Sequence, residues 1–147
     1  MNRILPPALY TVTVAVIVLT SWLLPSIEIM PRQYGRIGII PFVGGLAITL
    51  YSSWLFKRFD TNIHTFEQPD RLVNTGPYRY SRNPMYLGFT LSIFGAAIIA
   101  SNLWALILAG LFFMIIDRWY IPFEEAMMHE KFQDDYANYR SQVRRWL

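Results

Sequence analysis

This chain of 147 residues contains no cysteine, only two histidines and few charged side chains. The lack of cysteine excludes disulfides and thiolate metal ligands, and neither histidine has a second ligand at metal-binding spacing, so no metal site is predicted. Charged residues make up 16% of the chain, against about 25% in ordinary soluble domains. No dinucleotide-binding, phosphate-loop or serine-nucleophile motif is present. The formal charge of +3 is small, and a membrane explains the basic residues more simply than nucleic acid does.

Three long uncharged runs indicate the fold class. They are Ile4–Ile27 (24 residues), Ile37–Phe56 (20 residues) and Asn83–Ile116 (34 residues). About 20 apolar residues cross a bilayer as a helix, so the first two runs are single spans. The third run has Ser101-Asn102 near its middle and is predicted to turn there into two short helices. We therefore predict an all-α integral membrane bundle, one domain over 1–147, with membrane helices near 5–24, 35–57, 84–100 and 103–121.

Small residues recur at four-residue spacing on two of these helices. They are Gly45, Thr49 and Ser53 on the second helix, and Gly88, Ser92, Ala96 and Ala100 on the third. Small side chains let membrane helices approach each other closely. Each face is therefore predicted to serve helix packing rather than ligand binding.

The distribution of basic residues predicts the orientation in the membrane. Arg32 and Arg36 lie between the first two spans, and the other eleven of the 13 Lys and Arg residues lie before the first span, between the second and third, or from Arg118 onwards. Both termini and the polar connection 59–81 are thus expected to be cytoplasmic. The first run has no small-residue cleavage pattern and is expected to be retained. We expect a prokaryotic plasma membrane, with the active site on its cytoplasmic side.

The most distinctive segment is Gly76–Gly88, where the polar connection meets an apolar run. Pro84 suits the first turn of a helix, and Asn83 suits the capping position before it. A helix start offers N–H groups and a positive dipole end to an anionic ligand group, and tyrosine rings attract sulfonium or ammonium cations. The basic residues of this segment could equally be membrane anchors, but the tyrosines, Asn83 and a glycine beside them favour a pocket. The basic and aromatic residues are Tyr78, Arg79, Tyr80, Arg82 and Tyr86.

The last part of the chain is predicted to form an amphipathic helix over 123–145, on the cytoplasmic surface or against the bundle. Pro122 is expected to interrupt the fourth membrane helix before it. The apolar face consists of Met128, Phe132, Tyr136, Tyr139, Val143 and Trp146. Glu124 and Glu125 could simply complement the dipole of the helix start. Alternatively, one of them faces a cavity, where it binds a cation or takes a proton from an amine. Asp117-Arg118 is interpreted as an ion pair at the membrane boundary.

Two blocks of the sequence resemble the isoprenylcysteine carboxyl methyltransferases and the related phospholipid methyltransferases. The first block is similar to the pattern Leu-Val-Thr-x-Gly-x-Tyr followed by Arg-His-Pro-x-Tyr-x-Gly. It consists of Leu72-Val73-Asn74-Thr75-Gly76-Pro77-Tyr78 and Arg82-Asn83-Pro84-Met85-Tyr86-Leu87-Gly88. The second block is similar to the patterns Glu-Glu-x-x-Leu, Phe-Gly-x-x-Tyr-x-x-Tyr and Val-x-Arg. Its matching residues are Glu124-Glu125, Phe132, Tyr136, Tyr139 and Val143-Arg144. The resemblance covers roughly residues 55–147. Asn83 departs from the usual histidine, and Gln133 departs from the usual glycine.

The resemblance implies an integral membrane enzyme that transfers a methyl group from S-adenosylmethionine to a lipophilic acceptor reached from the bilayer. The family's cofactor contacts correspond to His64, Leu72, Val73, Tyr78, Asn83, Pro84, Met85 and Tyr86 or their close neighbours. Glu124 and Glu125 match an acidic pair at the substrate end of the pocket, and Arg82 is expected to hold the cofactor carboxylate or a substrate anion. The sequence does not identify the acceptor; a prenylated cysteine carboxylate, a phospholipid amine and a small lipophilic thiol or acid would all suit entry from the membrane. The expected partners are this acceptor and membrane lipids, not nucleic acid.

Two other functions are compatible with the same membrane architecture. A non-catalytic scaffold or accessory protein would keep the helices and have no use for S-adenosylmethionine. A reductase with a similar membrane core would need a dinucleotide, for which the sequence has no motif. Binding of S-adenosylmethionine therefore separates the enzyme from the scaffold.

Overall fold

A computed structural model describes residues 5–25, 27–59 and 71–147 of the chain. The α-helices within these ranges are α1 (Pro6–Leu23), α2 (Ile39–Arg58), α3 (Pro84–Ala100), α4 (Leu103–Ile115) and α5 (Ile121–Gln142). Short 3-10 helices over Arg32–Gly38 and Gly76–Arg79 precede α2 and α3, and a π-helical segment over Ile116–Tyr120 joins α4 to α5. No strand is formed by the described residues. The predicted all-α membrane bundle is confirmed.

Three helical stretches of the described chain are long and apolar enough to cross a membrane. They are Pro6–Leu23, Arg32–Arg58 and Leu103–Gln142. The helix α3 is shorter, with 17 residues, or about 26 Å at the usual rise of an α-helix. It contacts α1, α2 and α4, and therefore lies inside the bundle rather than at its edge.

The helices α2 and α3 approach closely because both carry small residues where they cross. A β-carbon added at Gly45 would meet the carbonyl oxygen of Gly88, and one added at Gly88 would come within 2.5 Å of the carbonyl oxygen of Gly45. The Thr49 hydroxyl donates a hydrogen bond to the Met85 carbonyl at 3.1 Å. This contact fixes the first turn of α3, which belongs to the distinctive sequence segment, against α2.

The core of the bundle lies between α1, α3 and α4. Its buried apolar side chains are Ile17, Tyr86, Ile93, Ala97, Ala105, Ala109, Phe112, Ile116 and Ile121. One polar pair lies beside it, with the hydroxyl oxygens of Tyr10 and Ser92 2.7 Å apart.

On α2 the buried serine of the small-residue face is Ser52, while the predicted Ser53 is half-buried. Helix neighbours recur at three as well as four residues, and here the face continues from Thr49 at a spacing of three.

The predicted turn at Ser101-Asn102 separates α3 from α4. Ser101 ends α3 in a left-handed conformation with φ 49°, and the Asn102 side chain caps α4 by accepting a hydrogen bond from the Trp104 N–H at 3.1 Å. The Ile29 N–H donates to the Ser101 carbonyl at 3.2 Å. The segment that follows α1 thus contacts the turn between α3 and α4, at the end of the bundle opposite Glu124 and Glu125.

The helical run from α4 to α5 does not stop at Pro122, where the sequence predicts an interruption. The helix changes to the π form over Ile116–Tyr120 instead, and Pro122 lies in the first turn of α5. The helix α5 ends at Gln142 rather than at 145, and it has a kink at Gln133, with φ 42° and ψ −112°.

Alanine at two adjacent glycines of α2 tests the helix crossing. Gly45→Ala should lower the thermal stability, because the added methyl group meets the backbone of α3, which cannot move aside as a flexible side chain can. Gly44→Ala should keep the stability or raise it by up to about 1 kcal/mol, since alanine favours a helix more than glycine does and nothing lies within 4 Å of that position. Thermal unfolding in detergent, followed by circular dichroism, measures both. Equal melting temperatures would contradict the close crossing.

Candidate active site

Three segments meet at one end of the bundle. They are the turn Gly76–Asn83 before α3, the first turns of α5, and the residues Val143–Leu147 after α5, which we call the C-terminal strap. Val143 has an extended backbone, and the Arg82 N–H donates to the Arg144 carbonyl at 2.9 Å, so the strap runs back beside the start of α3. The two sequence blocks that carry the candidate residues therefore come together in space.

Arg82, Glu125 and Arg145 form the charged centre of this region. One carboxylate oxygen of Glu125 lies 2.8 Å from Arg82 Nη2, and the other lies 2.8 Å from Arg145 Nη2. The side chains of Arg82 and Glu125 are only 9% and 10% exposed. Arg82 Nη1 also donates to the Val143 and Arg140 carbonyls, at 2.6 and 3.2 Å. Both terminal nitrogens of Arg82 are thus bound by groups of the protein, while its Nε is buried without a partner among the described residues.

Asp117 of the π-helical segment binds two side chains of the strap. Its Oδ1 accepts hydrogen bonds from Trp146 Nε1 at 3.0 Å and Arg145 Nη1 at 3.4 Å. The hydrogen bond to Glu125 and the charge of Asp117 raise the pKa of the Arg145 guanidinium. The predicted Asp117–Arg118 ion pair is present at 3.7 Å, but the Arg118 side chain is 85% exposed. The contacts of Asp117 with the strap are therefore the ones that join separate segments.

The π-helical segment determines which glutamate faces Arg145. In a regular α-helix, residues seven positions apart lie above each other after two turns, so Asp117 would align with Glu124. A π-helical turn contains one additional residue, which moves the alignment on by one position, to Glu125. The observed contacts agree, because Arg145 reaches both Asp117 and Glu125.

Asn83 and Ser81 hold the strap by its backbone. Asn83 Nδ2 and the Ser81 hydroxyl donate to the same Arg145 carbonyl, at 3.1 and 3.2 Å. Pro84 begins α3 and Asn83 occupies the capping position, as predicted, but the Asn83 side chain makes no capping hydrogen bond. The predicted cap is wrong in this respect, since the side-chain amide is turned toward the strap.

Glu124 makes a different contact from its neighbour Glu125. The Tyr86 hydroxyl donates a hydrogen bond to Glu124 Oε1 at 2.7 Å. Tyr86 is buried in the first turns of α3, and the Tyr120 ring lies 6.5 Å from its ring, centroid to centroid. Glu125 thus contacts two guanidinium groups, whereas Glu124 contacts the hydroxyl of a buried tyrosine.

Tyr78 lies in the turn before α3 with its side chain buried. Its carbonyl accepts a hydrogen bond from the Tyr139 hydroxyl at 2.7 Å, but its own hydroxyl has no partner among the described residues. Burial, and then the nearby Glu124, raise the pKa of Tyr78 well above its usual range. An unpaired buried polar group costs about 1–3 kcal/mol. This hydroxyl therefore indicates a partner beyond the described residues.

The other candidate cofactor contacts lie around this tyrosine. Val73 is buried beside Tyr78 and Leu55 in a small apolar cluster. Leu72, before the turn, and Met85, in the first turn of α3, are half-buried, and Pro84 at the start of α3 is buried. His64 lies outside the described residues.

The sequence interpretation did not identify Arg145, Trp146 or Ser81 as members of the site. The signal for Arg145 was present, because the Val-x-Arg spacing counted from Val143 ends on this arginine. Trp146 was predicted only as part of an apolar helix face. Ser81 had no signal, since a serine in a polar connection is unremarkable in any sequence.

Gln133 gives a physical reason for the glycine in the resembled pattern. Its φ of 42° lies where a residue with a side chain is strained and glycine is not. The kink at this position joins the part of α5 that carries the glutamates to the part that carries the buried Tyr136 and Tyr139. Gln133 adopts this conformation at a cost of about 1–3 kcal/mol.

Methionine at two nearby arginines tests the charged centre. Arg82→Met should lower the free energy of unfolding by about 3 kcal/mol, because Glu125 then loses one partner of a buried pair. Arg79→Met, at an exposed position of the preceding turn, should change it by less than about 0.5 kcal/mol. Denaturant unfolding in detergent gives both values. Similar losses in the two variants would show that Arg82 is only a surface charge.

Known proteins are similar in sequence to most of this chain. The sequence model of the family described as phospholipid methyltransferase matches residues 33–135, more than two thirds of the chain. The chain is also similar to an uncharacterized protein of Haemophilus influenzae, with 33% identity over 63 residues, which are 43% of this chain and 100% of that protein. The family match spans the turn before α3, the first turns of α3 and both glutamates. The chain belongs to the phospholipid methyltransferase family, whose members are methyltransferases of the membrane.

Proposed function

We propose that the protein uses S-adenosylmethionine to methylate a lipophilic acceptor that enters from the bilayer, and that this acceptor is a lipid amine. The observation that carries the proposal is the 2.7 Å hydrogen bond between the Tyr86 hydroxyl and Glu124, close to the buried hydroxyl of Tyr78, which has no partner in the described part of the chain. The description of the family supports a lipid as the acceptor. The carboxylate of an isoprenylcysteine-like compound is the alternative acceptor.

The residues at this end of the bundle fit S-adenosylmethionine by their chemistry. The rings of Tyr78, Tyr86 and Tyr120 suit a sulfonium cation. The Tyr78 hydroxyl and Arg82 Nε are buried donors without partners in the described chain, and both are suited to polar groups of the cofactor. The first turn of α3 adds backbone N–H groups and a positive dipole end for the cofactor carboxylate. The contacts predicted for His64, Leu72 and Val73 remain part of this proposal.

S-adenosylmethionine supplies a methyl group on a positively charged sulfur, which keeps the electron pair of the broken carbon–sulfur bond and becomes neutral. The acceptor nitrogen forms the new carbon–nitrogen bond with its lone pair and must lose one N–H proton. Glu124 takes this proton, and the Tyr86 hydroxyl holds its carboxylate in one orientation. A carboxylate acceptor has a free lone pair and would need no base.

In this proposal the main role of Arg82 and Glu125 is to hold the site together. Their salt bridge joins the turn before α3 to the first turns of α5, so that Tyr86 and Glu124 face each other. Alignment of the reacting groups is a major source of acceleration in a displacement of this kind. Any direct contact of Arg82 with a ligand anion would be made by Nε.

The proposed site faces the side of the membrane that carries eleven of the 13 basic residues. By the positive-inside rule, this side is cytoplasmic, where the cofactor is available. We assign the protein to a prokaryotic plasma membrane, with membrane lipids as neighbours and the acceptor lipid as substrate. The acceptor would reach Glu124 laterally, from the leaflet on the same side.

The scaffold hypothesis explains the fold but not the buried hydroxyl of Tyr78. This hydroxyl has lost water without gaining a partner among the described residues, a cost that a ligand-binding protein regains when the ligand binds and that a scaffold has no ligand to offset. The salt-bridge cluster does not discriminate, because both kinds of protein need a stable fold. The Tyr78 hydroxyl therefore favours the enzyme.

Removing this hydroxyl should have opposite effects on stability and binding. Tyr78→Phe should stabilise the ligand-free protein by up to about 1–3 kcal/mol, since it removes a buried group that has no partner among the described residues, and should weaken S-adenosylmethionine binding measured by calorimetry. Tyr80→Phe is the matched control, because Tyr80 is 73% exposed in the same segment, and it should change neither quantity. Absence of S-adenosylmethionine binding by the unmodified protein would support the scaffold instead.

The role of Glu124 is tested with an amide of the same shape. Glu124→Gln should reduce turnover by about a hundredfold or more, the range expected for loss of a general base, while the protein remains folded. Glu130→Gln, at an exposed position of the same helix, should leave turnover intact. The assay uses methyl-labelled S-adenosylmethionine with purified phospholipids and, separately, an isoprenylcysteine. Labelling of the isoprenylcysteine alone, with Glu124→Gln fully active, would replace the lipid amine by the carboxylate acceptor.

A further inference from the structure

We propose that Arg145 of the C-terminal strap is a positioning residue for methyl transfer, acting through Glu125 on the contact between Glu124 and Tyr86. The inference rests on the function proposed above. It concerns a residue outside the reacting groups, because the contacts of Arg145 are with other side chains of the protein.

The first argument is that the Arg145 side chain joins the π-helical segment to the first turn of α5. Its guanidinium lies 2.8 Å from Glu125 and 3.4 Å from Asp117. Asp117 lies within the π-helical segment and Glu125 follows it on α5. One rigid, planar group therefore bridges the π-helical segment and the first turn of α5.

The second argument is that the rotation of α5 decides where Glu124 points. Adjacent residues of an α-helix are separated by a rotation of about 100°. When Arg82 and Arg145 hold both oxygens of Glu125, the direction of Glu124 is fixed as well, and it is directed at the Tyr86 hydroxyl. Loss of the Arg145 contact would let the first turn of α5 rotate and would lengthen the Glu124–Tyr86 contact.

The third argument is that the strap is itself held in place. The Arg145 carbonyl accepts hydrogen bonds from Asn83 and Ser81, and the Trp146 ring packs on Phe113, with centroids 5.2 Å apart. The guanidinium of Arg145 is therefore attached to a backbone that cannot move freely. A side chain can position another group only when its own backbone is fixed in this way.

The test compares two adjacent arginines of the strap. Arg145→Gln and Arg144→Gln remove the same charge, but the Arg144 side chain is exposed and only its carbonyl takes part in the contacts described. Arg145→Gln should lower kcat by about tenfold, the scale of coupling between residues in contact, with a smaller change in KM for S-adenosylmethionine. Arg145→Lys should recover part of the loss, and Arg144→Gln should behave as the unmodified protein.

A double-mutant cycle separates positioning from general stabilisation. In a Glu124→Gln background, Arg145→Gln should lower kcat by less than about twofold, because the group that it positions is already absent. If the two losses multiply independently, or if Arg145→Gln lowers the melting temperature but not kcat per folded molecule, the proposal is wrong.

Hydrogen exchange provides a readout that does not depend on activity. Amides at the start of α5 (121–126) should exchange faster in Arg145→Gln than in Arg144→Gln, because the first turn of the helix is released. If the unmodified protein transfers no methyl group, the proposed function fails, while faster exchange would still support the positioning contact. Equal exchange in the two variants would overturn it.

Discussion

The carboxylate of Glu125 between two guanidinium groups is the interaction on which the functional end of this molecule depends. A carboxylate that is only 10% exposed has lost most of its hydration, and this loss is compensated only when both oxygens have cationic partners. The partners come from different parts of the chain, Arg82 before α3 and Arg145 after α5. The arrangement is complete only when the strap has folded back, so the turn before α3, α5 and the strap are stabilised together or not at all.

The apolar part of the bundle supplies a fixed base for this charged centre. Because Gly45 and Gly88 bring the backbones of α2 and α3 together, and Thr49 binds the Met85 carbonyl, the first turn of α3 cannot shift along α2. Tyr86 lies in this turn, so its hydroxyl has a defined position toward Glu124. A small-residue contact in the membrane thus determines the geometry of a polar contact at the membrane boundary.

Much of this could be predicted from the sequence, because long uncharged runs and helix-start residues act locally. The bounds of α3, Pro84–Ala100, coincide with the predicted 84–100, since Pro84 and the Ser101-Asn102 turn mark its ends. The π-helical turn could not be predicted, because one additional residue in a helical turn leaves no signal in the spacing of the apolar residues. The Asn83 side chain was predicted to cap its own helix, because that backbone is close to it in sequence. The strap that it contacts instead is more than sixty residues away along the chain.

The two glutamates also show why neighbouring identical residues need not be interchangeable. Successive side chains of an α-helix diverge by about 100°, and here the two carboxylates project toward different partners. Once Glu125 is held by Arg82 and Arg145, Glu124 must face α3 and its tyrosine. The additional residue of the π-helical turn decides which of the two faces Arg145, because without it Glu124 would align with Asp117. The Glu-Glu pair and the π-helical turn therefore act together: one carboxylate joins Arg82 to Arg145, and the other accepts a hydrogen bond from the Tyr86 hydroxyl.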